Sequence, residues 1–163
     1  MNDAFLYRDL PVVDKRVHRL GLVFNRGIDA AGVETALDAG INYLFWNKIR
    51  KNDTFDVVKA ALHRDRERYV FAGGGGLGFY GGGVRMGVER LLKAFDVDYV
   101  DVFHLFWLGR MSAFTDGVVK ELVKLREEGL VHALGVSIHD RPRAGKLAVE
   151  SPLDLLMIRY NAA

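Results

Sequence analysis

Short apolar runs alternate with amphipathic stretches along the chain, and that alternation is its main structural signal. His18-Arg19-Leu20-Gly21-Leu22-Val23 predicts a first strand. IDAAGVETALDAG predicts a helix, with Asp29 as N-cap and Gly40 just past its end. Ile41 to Trp46, INYLFW, reads as a buried strand. DTFDVVKAALHRDRER reads as a second helix with Phe55, Val58, Ala61 and Leu62 on one face. Tyr69 to Ala72 predicts a third strand, VRMGVERLLKAF a helix, and Tyr99 to Leu108 a long apolar strand. A helix over DGVVKELVKLREEG, a strand over His132 to Ile138, a helix around Arg143 to Glu150 and a strand from Leu155 to Tyr160 complete the series.

Strands separated by helices at this spacing indicate βα units and a parallel sheet. Strands apolar on both faces are what such a sheet requires. The periodicity alone fits either an open doubly wound sheet or most of a (β/α)8 barrel. With 163 residues the chain suits one domain, residues 1–163.

Charge and composition narrow the function classes. Lysine and arginine (23) nearly balance aspartate and glutamate (21), and no basic stripe is present, which argues against nucleic acid as a partner. There is no cysteine, so disulfides and thiolate chemistry are excluded. The five histidines are scattered without HxH or HxxxH spacing, so no metal site is expected. The N-terminus lacks the features of a secretory signal, and no apolar run reaches the ~18 residues of a membrane span. The expectation is a soluble, cytoplasmic protein with no membrane partner.

Residues 71–83, FAGGGGLGFYGGG, match GxGxxG at Gly73, Gly75 and Gly78. In a dinucleotide loop such glycines let backbone amides approach a pyrophosphate at a helix N-terminus. A run this dense in glycine matches in several registers, however, and a flexible loop explains it better.

Five phrases in order resemble the aldo/keto reductase superfamily. They are RLGL at Arg19 to Leu22, ALDAGINY at Ala36 to Tyr43, DYVDVFHL at Asp98 to Leu105, LREEGLVHALGVSIH at Leu125 to His139, and MIRYN at Met157 to Asn161. The resemblance implies a (β/α)8 TIM barrel with an N-terminal hairpin arm, of which about six βα units are present. Barrels of this kind need ~250 residues, so the expectation is a truncated, partial barrel. It also implies hydride transfer from NADPH to a carbonyl, with an Asp, a proton-donating Tyr, a Lys and a His. The physical need is a proton for the alkoxide as hydride arrives.

Residue by residue, the four positions carry Phe45 for the Asp, Arg50 for the Tyr, Gly74 for the Lys and Phe106 for the His. The catalytic set is therefore expected to be absent. Ser137 matches the serine that contacts the nicotinamide carboxamide. Its usual Asn neighbour is Ile138 here, and the family glutamine is Met157.

Other polar residues offer alternatives. His104 lies on the same strand face as Phe106 and could act as a displaced acid, or be a buried histidine satisfied by neighbours. His139 and Asp140 could relay a proton, or Asp140 could cap the following helix. Arg141, Arg143 and Lys146 could meet an anion or form a solvated helix face. Tyr80 is the loop tyrosine nearest the lost lysine position.

Two functions follow as expectations. One is a reductase-like protein that no longer reduces, with Phe45, Trp46, Phe106 and Trp107 lining a mouth for a small apolar or aromatic ligand. The other is an NADP-dependent oxidoreductase with acid–base groups rewired to His104, His139 or Tyr80. Unpaired outer strands would favour self-association.

Overall fold

The computed structural model describes residues 3–24, 27–47, 52–74 and 78–159. A short helix α1 (Asp3–Leu6) leads into an antiparallel hairpin, β1 (Tyr7–Leu10) and β2 (Lys15–His18). A 3-10 turn over Pro11–Val13 joins them, closed by Asp14 in the left-handed region at φ 50.

Six parallel strands follow: β3 (Gly21–Val23), β4 (Tyr43–Trp46), β5 (Val70–Gly74), β6 (Val100–Leu105), β7 (Val131–Ile138) and β8 (Leu155–Ile158). The helices between consecutive strands are α2 (Ala30–Asp38), α3 (Thr54–Arg64), α4 (Gly81–Phe95), α5 (Asp116–Glu127) and α6 (Arg141–Glu150). Each strand pairs with the next in sequence, in the order β3-β4-β5-β6-β7-β8. A doubly wound sheet reverses its strand order partway; this one does not, so the barrel alternative holds.

Side-chain alternation divides the sheet into two faces. Phe45, Val70, Ala72, Val102 and Ala133 form one cluster, joined by Tyr43, Phe106, Leu155 and Met157. Residues of β4 and β8 share that cluster because the sheet curls, so this face is the barrel interior. The opposite face packs on the helices through two larger clusters, one around Trp46, Phe55 and Phe95 and one around Phe103, Leu122 and Leu134. Among the described residues, no helix is long and apolar enough to cross a membrane.

The hairpin closes the end of the barrel at the strand N-termini. Val13 lies in the interior cluster with Leu10 and Val17 packed against it. Lys15 Nζ reaches Asp101 Oδ1 at 2.8 Å and donates to the Tyr69 carbonyl at 3.0 Å. The other Asp101 oxygen accepts from Arg66 Nη2 at 2.6 Å and from the Phe71 amide at 2.8 Å. A fully buried carboxylate is thus matched by two cations and a backbone donor, the arrangement that makes burial of charge tolerable.

Several expected boundaries shift, each for a local reason. The run from His18 to Val23 is two strands. The Asn42 side chain takes the His18 amide at 2.8 Å and the His18 ring takes the Leu20 amide at 3.0 Å, which turns the chain between them. The long strand stops at Leu105 because Trp107 adopts φ 51, and Leu108 then donates to the Ser137 carbonyl at 2.8 Å. The last strand ends at Ile158; Tyr160 and Asn161 lie outside the described residues.

The glycine stretch is also not simply a flexible loop. Gly73 and Gly74 belong to β5, Gly78 bridges to Ser112, and Gly81 opens α4; residues 75–77 lie outside the description. Close packing accounts for three of the described glycines. A Cβ on Gly73 would stand 2.3 Å from Leu91 Cδ1, one on Gly78 2.5 Å from Ser112 Cβ, and one on Gly81 3.0 Å from the Gly117 carbonyl. Helix α4 approaches β5 and α5 at distances that side chains would forbid.

Candidate functional site

In barrels of this kind the chemistry sits where the strands end at their C-termini. There the fold brings together three of the four positions that the family resemblance singled out. Phe45, second to last in β4, is 2% exposed and points into the interior. Gly74 closes β5 beside it: a Cβ there would lie 3.0 Å from Phe45 Cζ, 3.1 Å from Cε2 and 3.2 Å from the His104 carbonyl. Phe106 follows β6 with its ring centroid 6.4 Å from that of Phe45. The ring of Phe45 thus occupies the space into which a side chain at position 74 would grow. Arg50 lies outside the described residues.

His104, paired in register with Gly74, lies two residues before Phe106 on the same face. It is 2% exposed, its ring meets the Phe45 edge at 5.3 Å and 84°, and its Nε2 is 3.2 Å from the Tyr43 hydroxyl. Burial holds the imidazole pKa down to about 4, so the ring is neutral at physiological pH. Burial, and secondarily the charge of Asp101, push the Tyr43 phenol well above its ordinary value. The two therefore form a neutral hydrogen-bonded pair. Among the described residues Nδ1 has no partner; it faces Gly135, where a Cβ would come within 2.4 Å of it. His104 is buried as one of its two sequence readings held, but only half satisfied.

Tyr43 was missed from sequence. The signal available was the period of two that places Tyr43 and Phe45 on one face, but the cross-strand partner depends on the curl of the sheet.

Ser137 is half-buried in β7, paired with Met157 on the same face as Gly135. Among the described residues nothing bonds its hydroxyl, while its carbonyl is taken by Leu108. Ile138 is buried on the other face, against α6.

The remaining candidates lie away from this interior. Tyr80 is 53% exposed and precedes α4, its ring 3.3 Å from the Cβ position of Gly82. Asp140 caps α6, accepting the Arg143 amide at 3.0 Å. His139 is exposed and faces the Trp107 ring at 5.9 Å. The expected mouth of four aromatic residues needs correction. Trp46 points outward into the helix layer against Phe24, Phe55 and Phe95, because it is one residue out of phase with Phe45. Trp107, at φ 51, is half-buried, its ring centroid 6.4 Å from that of Phe106 and 5.9 Å from that of His139.

A sequentially paired, curled sheet with outer helices and a hairpin under the strand N-termini defines a (β/α)8-type barrel, of which six strands and the five helices between them are described. No family model and no curated protein matches the sequence. Solved aldo-keto reductases do match the structure. One from Bacillus halodurans, in its holo form, is 22% identical with a TM-score of 0.77, over 94% of this chain and 57% of that one. The glycerol dehydrogenase of Gluconobacter oxydans is 22% identical with a TM-score of 0.73, over 94% and 54%. An aldo/keto reductase from Klebsiella pneumoniae, in complex with NADP and acetate, is 23% identical with a TM-score of 0.62, over 83% and 51%. The chain spans little more than half the length of these structures. At such identities the likeness establishes the fold, an aldo-keto reductase-type half-barrel.

Proposed function

We propose that the chain is of aldo/keto reductase descent and binds ligand without carrying out the reduction. The observation that carries this reading is the fit of Phe45 against Gly74. The place for a lysine is taken by an aromatic ring wedged between His104 and Phe106. Loss of one proton-donating group lowers a rate by ~10²–10⁴, and here several acid–base positions carry phenylalanine or glycine.

The described residues fit a nicotinamide cofactor poorly. The free hydroxyl of Ser137 could meet a carboxamide, but Ile138 and Met157 offer it no hydrogen bond. NADP binding is a proposal that rests on the likeness to the Klebsiella protein, which was solved in complex with NADP. What the interior face does present is half-buried Phe106, Leu155 and Met157 with one serine hydroxyl, a surface suited to a small apolar or aromatic ligand. β3 and β8, each paired on one side among the described residues, are the strands through which self-association would occur.

A second reading, an oxidoreductase with rewired acid–base groups, rests on the Tyr43–His104 hydrogen bond. One experiment separates the two: NADPH consumption by the full chain with a panel of aldehydes and ketones. The first reading expects no rate above that of buffer. Turnover that disappears in His104→Gln would replace it with the second.

A further inference from the structure

Beside the barrel interior, the loop after β6 and the first turn of α6 border an open cleft of about 430 Å³. It is lined by Trp107, Arg110, His139, Asp140 and Arg143; Phe45, His104 and Ser137 take no part in it. The loop is tightly held. The Arg110 and Met111 amides both donate to the Trp107 carbonyl, at 3.0 and 2.9 Å, and Gly109, at φ 92, donates to the Ser112 carbonyl at 2.9 Å. The Leu108 amide fastens the loop to β7 through Ser137.

The charges are unbalanced. Among the described residues neither Arg110 nor Arg143 makes an ion pair. The Arg110 guanidinium lies 5.4 Å from the centroid of the Trp107 ring. The lone carboxylate, Asp140, is already engaged as the helix cap. Arg141, by contrast, is turned away to the Arg159 carbonyl at 3.2 Å. Beside the two guanidiniums the Trp107 and His139 rings, tilted by 32°, form an aromatic wall. Guanidiniums lining one cleft select oxyanions, and an aromatic wall selects planar rings. The cleft volume falls in the range of small-molecule sites.

We propose that this cleft binds an aromatic oxyanion, its carboxylate or phosphate between Arg110 and Arg143 and its ring against Trp107 and His139. Its lining shares no residue with the Phe45, His104 and Ser137 set, and the proposal is independent of whether the interior reduces anything.

The chain has two tryptophans, so its indole N–H signals in a proton–nitrogen correlation spectrum are assigned by a single variant, Trp107→Phe. Titration of the full chain with phenyl phosphate and with benzoate is expected to shift the Trp107 signal and not that of buried Trp46, with a dissociation constant on the order of millimolar. Which of the two binds more tightly identifies the anion. Arg110→Gln and Arg143→Gln are each expected to weaken binding roughly tenfold, and an unchanged Trp46 signal verifies that the variants fold. The proposal is overturned if neither probe shifts Trp107. It is also overturned if benzyl alcohol or inorganic phosphate alone shifts it equally, or if the arginine variants bind as tightly as the parent.

Discussion

Gly74→Ala tests the idea that the site was rebuilt around Phe45. The new methyl carbon would stand 3.0 Å from Phe45 Cζ and 3.2 Å from the His104 carbonyl. The carbonyl is fixed in the β5–β6 ladder, and the ring is packed between His104 and Phe106, so neither yields freely. Overpacking of this kind destabilises by about 1–3 kcal/mol. Phe45→Leu, which shortens the side chain and withdraws it from position 74, should destabilise by about 1 kcal/mol. With the phenyl ring already removed by Phe45→Leu, much of the strain has no cause, and the alanine gains about 0.4–1 kcal/mol by restricting the unfolded chain. The two changes should therefore couple by about 1–3 kcal/mol, well beyond the additivity expected of independent sites. Urea denaturation of the parent, the two single variants and the double variant measures this directly. A Gly74→Ala effect equal in both backgrounds, to within about 0.5 kcal/mol, would refute the steric reasoning.

Two further outcomes follow from buried charge. Asp101→Asn leaves Lys15 and Arg66 without their carboxylate and is expected to lose about 3–5 kcal/mol, whereas Lys15→Met, which leaves Asp101 held by Arg66 and the Phe71 amide, should lose less. Thermal melts of the parent and the two variants decide it, and a Lys15→Met loss as large as that of Asp101→Asn contradicts it. His104 has a folded pKa below its unfolded value near 6.5, so its contribution is complete above that pH and is lost as pH falls toward about 4. The loss is on the order of 3 kcal/mol across that window. His104→Leu should flatten the dependence of the urea midpoint on pH between 7 and 4, and equal slopes in parent and variant would show that the imidazole is not the group responsible.

The order of elements was legible in the sequence because each helix carries its own punctuation. Asp29 and Asp140 cap where short polar side chains before amphipathic runs predict, and Gly40 ends α2 at φ 92. What the sequence did not disclose was depth. Phe45 and Trp46 are adjacent aromatic residues in one apolar run, yet one enters the barrel and the other the helix layer. A strand apolar on both faces does not reveal its phase. The glycines misled for a related reason: the steric demand that selects them comes from Leu91, Ser112 and Gly117, which are remote in sequence. The cleft at Trp107 was half visible as a cluster of arginines after His139. Arg110 joined it only because a left-handed residue turned the β6 loop toward α6.

The hairpin's ion pair has a kinetic consequence. Within the large sheet every strand pairs with its neighbour in sequence, so assembly can advance by closing one βα loop at a time, each closure entropically similar to the last. Lys15 is different: Asp101 lies beyond three intervening strands, and the two meet only once those strands have assembled with the right curvature. Their contact thus acts as a checkpoint on the curl. A probe placed on the hairpin should report the final stage of folding, after the helices that flank β3 to β6 are already in place.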